Sequence, residues 1–383
     1  MTVRAGPPPL PPTPPPSSWR MPAYVRLALI GISLYASAGK VLLLGRPSHV
    51  NGTRGIMHAD HQAHLAFLRA CVTHLNVDET RAAVQFFGRV ARKVRESIPT
   101  RLLDAPRTQR VDLGNGVAGE WFYPGLDVLG RDGVVDVSNL DAAVLFVHGG
   151  GYTLGDHYLY TPGLFKIIDG SSIRLAILCV EYTLSPDATF PTQIEEVVAA
   201  YRYLLDRGMP ASSIAFMGDS AGGNLVVSSN LWIRDLTLLP MPAAMVLISP
   251  WVDLRHNASA FTCNVDVDFI GGRPAVLSEM TDLYLSGTGV SPSSPFVSVV
   301  LADLSRMPES LIVYGEHEVF HDDIAEFGRR LNACGVPSEA VVLHRMPHAA
   351  GLLEEAFGPE CRHSFARIVP FLHRTLQRPR PRP

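Results

Sequence analysis

A serine held between glycines is the first place in this chain where chemistry could be done. The apolar run Ile214–Met217 leads into Gly218-Asp219-Ser220-Ala221-Gly222, and Gly223-Asn224-Leu225 then opens a helical pattern. G-x-S-x-G between a strand and a helix lets the backbone turn sharply and hold its serine in a strained, presented conformation. Ser220 would start the helix, where unpaired N–H groups favour negative charge. Well upstream, the run Ala142–Val147 ends in His148-Gly149-Gly150-Gly151-Tyr152. Three glycines after a buried strand leave backbone N–H groups bare, and such donors can face a developing oxyanion. A serine hydroxyl also needs a base, and the base an orienting acid. Two later loops carry those residue types. Gly315-Glu316-His317-Glu318-Val319-Phe320-His321-Asp322 follows one apolar run, and His344-Arg345-Met346-Pro347-His348 follows another.

The elements that must position these residues are legible from periodicity. Strands are expected at Ala142–Val147, Leu175–Val180, Ile214–Met217, Ala244–Ile248, Leu311–Tyr314 and Ala340–Leu343. Most are unbroken Val/Ile/Leu/Ala runs, as parallel strands buried on both faces require. Helices are expected between them at 193–207, 221–235, 322–334 and 361–376. The alternation predicts an α/β fold with a mostly parallel sheet and right-handed crossovers. Residues 256–290 break the rhythm and read as an insertion. Residues 57–103 read as helical, with a basic face at Arg81, Arg89, Arg92, Lys93 and Arg95.

Composition bounds the rest. The 383 residues carry 33 Lys+Arg against 36 Asp+Glu, a net charge of −3, and 47% are apolar. That is too apolar for a disordered chain and too balanced for a nucleic-acid binder. Proline is crowded into residues 7–16 and the last five positions, so 1–20 and 378–383 read as solvated tails. Five scattered cysteines without CxxC spacing fit buried, reduced thiols rather than a disulfide frame or a zinc site. His58, His61 and His64 repeat on a helical face with no carboxylate completing a metal set, and no metal or cofactor is expected. The apolar stretch 23–45 is interrupted by Lys40 and is too short on either side to span a bilayer. Three readings compete, in this order: a helix packed on the body, an interfacial, peripheral membrane contact, and a spanning helix, against which length and Lys40 count. With that stretch behind a proline tract, secretion is not expected, and a cytoplasmic or membrane-associated intracellular protein is.

The pairing of His148-Gly-Gly-Gly151 with Gly218-Asp-Ser-Ala-Gly222 resembles the hormone-sensitive-lipase-like branch of the α/β hydrolases. Glu181-Tyr-Thr-Leu184-Ser-Pro186, Phe190-Pro191, Ser294-Pro295 and Ala302-Asp303-Leu304 resemble its connecting stretches, so the likeness runs over about residues 140–350. The resemblance implies an α/β-hydrolase fold over 109–377, with a helical cap built from the 256–290 insertion and the N-terminal segment 21–108. It implies Ser220 as nucleophile, His348 as base, and the amides of Gly150, Gly151 and Ala221 as oxyanion donors, with His148 and Gly149 supporting that loop. The family's acid loop reads Gly-x-x-Asp-x-Leu-x-Asp. Here Gly315 matches, Glu318 stands at the acid position, Phe320 replaces Leu and Asp322 is the second Asp. Glu318 is therefore the expected acid, with Asp322 and Glu316 as alternatives, and His344 is the alternative base. Thr183 stands where the family usually has Arg. The expected activity is hydrolysis of small to medium acyl esters through an acyl-enzyme, with a small-molecule ester as the partner. The rivals are an acyltransferase, amidase or lyase with the same triad, and a non-catalytic ligand-binding protein on the same fold.

Overall fold

The computed structural model describes residues 107–255, 263–273 and 275–376, together with Leu68, Val72 and 76–81. The apolar stretch 23–45, both proline-rich tails and most of the expected helical region 57–103 lie outside the described residues. Among the described residues no helix is long and apolar enough to cross a membrane.

In chain order the main elements are β1 (Thr108–Gly114), β2 (Val117–Phe122), β3 (Ala142–Val147), α1 (Thr161–Asp169), β4 (Leu175–Glu181), α2 (Thr192–Asp206) and β5 (Ile214–Asp219). They continue with α3 (Ser220–Leu236), β6 (Ala244–Ile248), α4 (Ala275–Leu285), β7 (Glu309–Gly315), α5 (His321–Ala333), β8 (Ser338–Leu343) and α6 (Arg362–Leu376). Eight strands form one sheet in the order β1-β2-β4-β3-β5-β6-β7-β8. From β4 to β8 every neighbouring pair is parallel. Every residue of β3, β5 and β6 is buried, which is why these strands read as unbroken apolar runs. Two apolar layers flank the sheet. One packs α2, α3 and α5 against it, and the other packs α1 and α6.

The structure adds elements that periodicity did not mark. β1 and β2 pair antiparallel through the two-residue turn Asn115-Gly116, whose φ angles of 54° and 80° are the left-handed pair such a hairpin needs. The half-exposed alternation of β1 hides it from a search for continuous apolar runs. α1 was obscured by Pro162-Gly163, with the proline at the helix start, where its missing N–H costs nothing. β7 and β8 begin two residues earlier than expected because their first turns are polar. Within the expected insertion, α4 lies on the α2/α3 layer, and Val77 of the N-terminal segment is buried in that same layer. Arg81 pairs with Asp187.

Candidate active site

Ser220 is the first residue of α3 and its φ is +51°, a left-handed value that a side chain rarely adopts. Close packing enforces the turn. A Cβ on Gly222 would lie 2.1 Å from the Val147 carbonyl oxygen, and one on Gly218 would lie 2.6 Å from that of Gly222. The end of β3 therefore crosses the turn in direct backbone contact. The serine is almost fully buried, and its carbonyl accepts the Trp251 amide at 2.9 Å.

The loop after β3 lies against this turn. Gly149 donates its amide to Asp219 Oδ1 at 2.8 Å, and the Tyr160 hydroxyl donates to Asp219 Oδ2 at 2.8 Å. A Cβ on Gly149 would collide with that carboxylate at 2.4 Å. Burial pushes the Asp219 carboxyl up to about 6, against the lowering by Tyr160, His348 and Gly149. Gly150 and Gly151 hold φ of +114° and +59°. Among the described residues, neither of their amides donates to a protein acceptor. His148 stacks on Tyr182 at 4.5 Å, and its Nδ1 lies 2.7 Å from the Gly149 carbonyl, so Nδ1 carries the proton and donates. Burial depresses the His148 pKa to about 4, so the ring is neutral. It braces the loop.

The loops after β7 and β8 are stitched together backbone to backbone. Glu316 N–H donates to the Leu343 carbonyl and His317 N–H to that of Met346, each at 3.0 Å. Gly315 has no room for a side chain, because a Cβ there would lie 2.1 Å from Met346 O. Glu318 and His348 meet inside this junction. Glu318 Oε2 is 3.5 Å from His348 Nδ1, with the carboxylate wholly buried and the ring 3% exposed. The Ser249 hydroxyl and the Gly315 amide face the carboxylate and favour its charge, yet neither closes a hydrogen bond of good geometry. Burial dominates and pushes the Glu318 carboxyl up to about 8. Burial likewise lowers the His348 pKa, while Asp268 and Asp219 oppose the fall. The segment Ser249–Trp251 ties this junction to the serine, because the Ser249 hydroxyl accepts the Ala349 amide at 3.1 Å while Trp251 bonds to Ser220.

The alternatives drawn from sequence lie elsewhere. Glu316 and His344 pair with each other at 2.6 Å on the surface, both well exposed. Asp322 sits in the first turn of α5, bonded to His321 at 3.0 Å and half exposed. Thr183, in place of the family's Arg, donates its amide and hydroxyl to Glu196, each at 2.6 Å, and so ties the loop after β4 to α2. Trp251 stacks on Phe320 at 5.7 Å, and Asp253 pairs with Arg255 at 2.6 Å.

Three neighbours carried no signal in the sequence. Met280 of α4 presses its thioether on Gly151, where an added Cβ would lie 2.2 Å from the sulfur. Tyr284, one turn on, stacks on Tyr152 at 3.8 Å with the rings 3° from parallel. Asp268, in the insertion before α4, is fully buried beside His348. Away from the serine, Glu120, His157 and Glu181 bring one metal-ligating atom each within 4.8 Å of one another. His157 and Tyr158 engage Glu120, and Arg110 engages Glu181.

A βα elbow bearing a serine, a glycine loop with uncommitted amides and a buried carboxyl–imidazole pair on later loops together describe a serine hydrolase. The chain belongs to the α/β-hydrolase family, whose model, described as alpha/beta hydrolase fold, matches residues 144–352. It falls in the hormone-sensitive-lipase-like branch and is a carboxylester hydrolase of the serine type. It is 36% identical over 238 residues to an acetyl-hydrolase of Streptomyces hygroscopicus, across 61% of this chain and 72% of the relative. An esterase of Acinetobacter venetianus is 26% identical over 60% of this chain and 73% of its own. The crystal structure of an esterase from the bacterial hormone-sensitive lipase family superposes with a TM-score of 0.70 at 30% identity, covering 84% of this chain and all of that one.

Proposed function

We propose that this chain hydrolyses carboxylic esters with short acyl groups, acetyl foremost, with Ser220 as nucleophile, His348 as base and Glu318 as the acid that orients it. The observation that carries the reading is the buried contact between His348 Nδ1 and Glu318 Oε2, on loops tied to the serine through Ser249 and Trp251. Ser220 Oγ attacks the ester carbonyl as His348 Nε2 takes its proton, and the carbonyl electron pair moves onto oxygen. The amides of Gly150, Gly151 and Ala221 receive that charge, and each such donor is worth about 3 kcal/mol of barrier. Collapse expels the alcohol, which leaves with the proton from His348. Water then loses a proton to His348 and attacks the acyl carbon. The second collapse frees the acid and returns the proton to Ser220.

The short acyl group follows from what covers the glycine loop. Met280 closes on Gly151, and the stacked Tyr152–Tyr284 pair and the Trp251–Phe320 pair fill the space around it with rigid rings. The acetyl-hydrolase name of the Streptomyces relative points the same way. α4 and the segment before it act as the cap. Among the described cysteines Cys179 and Cys361 are buried, as expected, whereas Cys263 and Cys334 are exposed.

The test is turnover of p-nitrophenyl esters from acetate to decanoate. Acetate and butyrate should be favoured, and Ser220→Ala should abolish turnover in a folded protein. Retained turnover in Ser220→Ala sinks the assignment. Running the same assay with added alcohols measures any acyl transfer.

A further inference from the structure

Between β6 and β7 the chain leaves the sheet, and on this excursion Asp268 is buried completely. Its carboxylate reaches the backbone of both loops that carry the carboxyl–imidazole pair. Oδ2 accepts the Val319 amide at 2.8 Å, and Oδ1 accepts the His348 amide at 3.4 Å. Val319 directly follows Glu318, so one side chain grips the acid loop and the base loop together. The same Oδ1 accepts the Ile270 amide at 3.4 Å, which fixes the turn that presents it. Asn264, on the same excursion, adds a second clamp by donating to the Glu316 and Glu318 carbonyls at 3.2 and 2.9 Å.

A fully buried carboxylate is costly unless amides or a cation compensate it. The Ile270, Val319 and His348 amides and the His348 imidazole are among the groups that compensate Asp268. The charges that bear on His348 come from three elements: Asp268 from the excursion, Asp219 from the end of β5 and Glu318 from the loop after β7. Among the described residues, the rings of Phe269 and Phe320 also lie against it.

We propose that Asp268 is a positioning residue for His348. It locks the two loops in register through their amides, and its negative charge stabilises the imidazolium formed when His348 takes the Ser220 proton. The proposal rests on the roles given above to Ser220, Glu318 and His348. Protonation preferences support it. Burial holds Glu318 up at about 8, whereas Asp268, at about 6, ionises first and meets the imidazolium as an anion near neutrality.

The experiment is the pH dependence of kcat and kcat/KM on p-nitrophenyl acetate, with active sites counted by fluorophosphonate labelling. Asp268→Asn puts an NH2 group where an oxygen must accept. It should lower kcat per labelled serine by about ten- to a hundredfold, the loss of one charge-assisted contact, with little change in KM. It should also move the acidic limb of kcat/KM to lower pH, because an anion that favoured the protonated ring is gone. Asp268→Glu keeps the charge and spoils the fit to the amides, so kcat should fall while the limb stays in place. A folded Asp268→Asn enzyme whose acidic limb is unmoved overturns the proposal and leaves Asp268 a structural residue. Where Asp268→Asn does not fold, Asp268→Glu decides, and a displaced limb or an unchanged kcat in it overturns the proposal. Failure of both to fold assigns Asp268 to stability alone and also overturns it. Ser220→Ala and Glu318→Gln run alongside. Wild-type turnover in either would bring down the underlying triad, whereas loss in both beside a wild-type Asp268→Asn would bring down this proposal only.

Discussion

Met280 offers the sharpest test of how the cap chooses the acyl group. Its thioether lies on Gly151, in the loop proposed to hold the oxyanion, so it occupies volume next to the reacting carbonyl. Met280→Ala removes Cγ, Sδ and Cε, a space of about three methylene groups. Burying a methylene is worth about 0.8 kcal/mol, so an acyl chain that fills the gap gains at most about 2.4 kcal/mol. At about 1.4 kcal/mol per tenfold, that is a shift of up to about 50-fold in the hexanoate-to-acetate ratio of kcat/KM. Partial collapse of the cavity would reduce it, and a shift of about 10-fold still supports the reading. Met280 is only partly buried, so the stability cost belongs at the low end of the 2–5 kcal/mol typical of such truncations. The assay is the p-nitrophenyl ester series at 20 °C, with circular dichroism to verify folding and Met280→Leu as a volume-conserving control. A folded Met280→Ala enzyme whose ratio moves by less than about twofold would refute the argument that α4 limits acyl length.

Other outcomes follow from the same geometry. Glu318→Gln should lower kcat by about 10²- to 10⁴-fold, since the carboxyl group that orients the base is lost. The same variant should also flatten the pH dependence of stability. Burial raises the Glu318 carboxyl from an ordinary 4.5 to about 8, so the folded state holds its proton more tightly than the unfolded chain does. That contribution is fully present below about 4.5 and is lost as pH rises towards about 8, so the wild-type Tm should fall across this window more than that of Glu318→Gln. Glu316→Ala and His344→Ala, which break the exposed surface pair, should stay within about twofold of wild-type kcat/KM, and a collapse in either would move the acid or base assignment to the surface. Gly150→Ala combines a φ of +114° with a Cβ 2.0 Å from the Leu154 carbonyl oxygen, and should cost about 10²- to 10³-fold in kcat by displacing the loop amides.

The parallel core of the sheet was legible because burial on both faces leaves an unbroken apolar signature, and β3 to β6 carry it. The elements that escaped are those with other signatures. β1 alternates at an edge, and its one strong mark is the Asn115-Gly116 turn. α1 opens with a proline and a glycine that read as a loop. The serine elbow and the glycine loop were legible because their glycines answer a local demand, a backbone in contact with backbone, which writes itself into consecutive residues. Glu318 could be set above Glu316 and Asp322 only by analogy, since all three are acids within one short stretch of sequence. What separates their environments is burial, and burial depends on how the β8 loop folds over them. Asp268 and Met280 had no chance of being read. Each acts through a contact across the fold, and neither the mixed Val-Asp-Val-Asp-Phe stretch nor a lone methionine has a spacing that announces a partner.

Three buried carboxyls, Asp219, Asp268 and Glu318, converge on one buried imidazole. Glu318 opposes the ionisation of Asp268, because like charges repel in a low-dielectric interior. The structure separates their duties by what else each one holds. Asp219 is bound by Gly149 and Tyr160 and fixes the glycine loop. Asp268 is bound by the Val319 and His348 amides and fixes the two later loops. Glu318 has no such amide partners and is the one most readily left protonated. A longer acid with weak local stabilisation would be a poor anchor for a catalytic histidine acting alone. Beside a second carboxylate that already holds the histidine's backbone and supplies charge, the acid position can carry Glu in place of the family's Asp. On this view the two residues are coupled, and Glu318→Asp should become more damaging when combined with Asp268→Asn than the two single losses multiplied. A strictly multiplicative pair in a double-mutant cycle would show that they act independently.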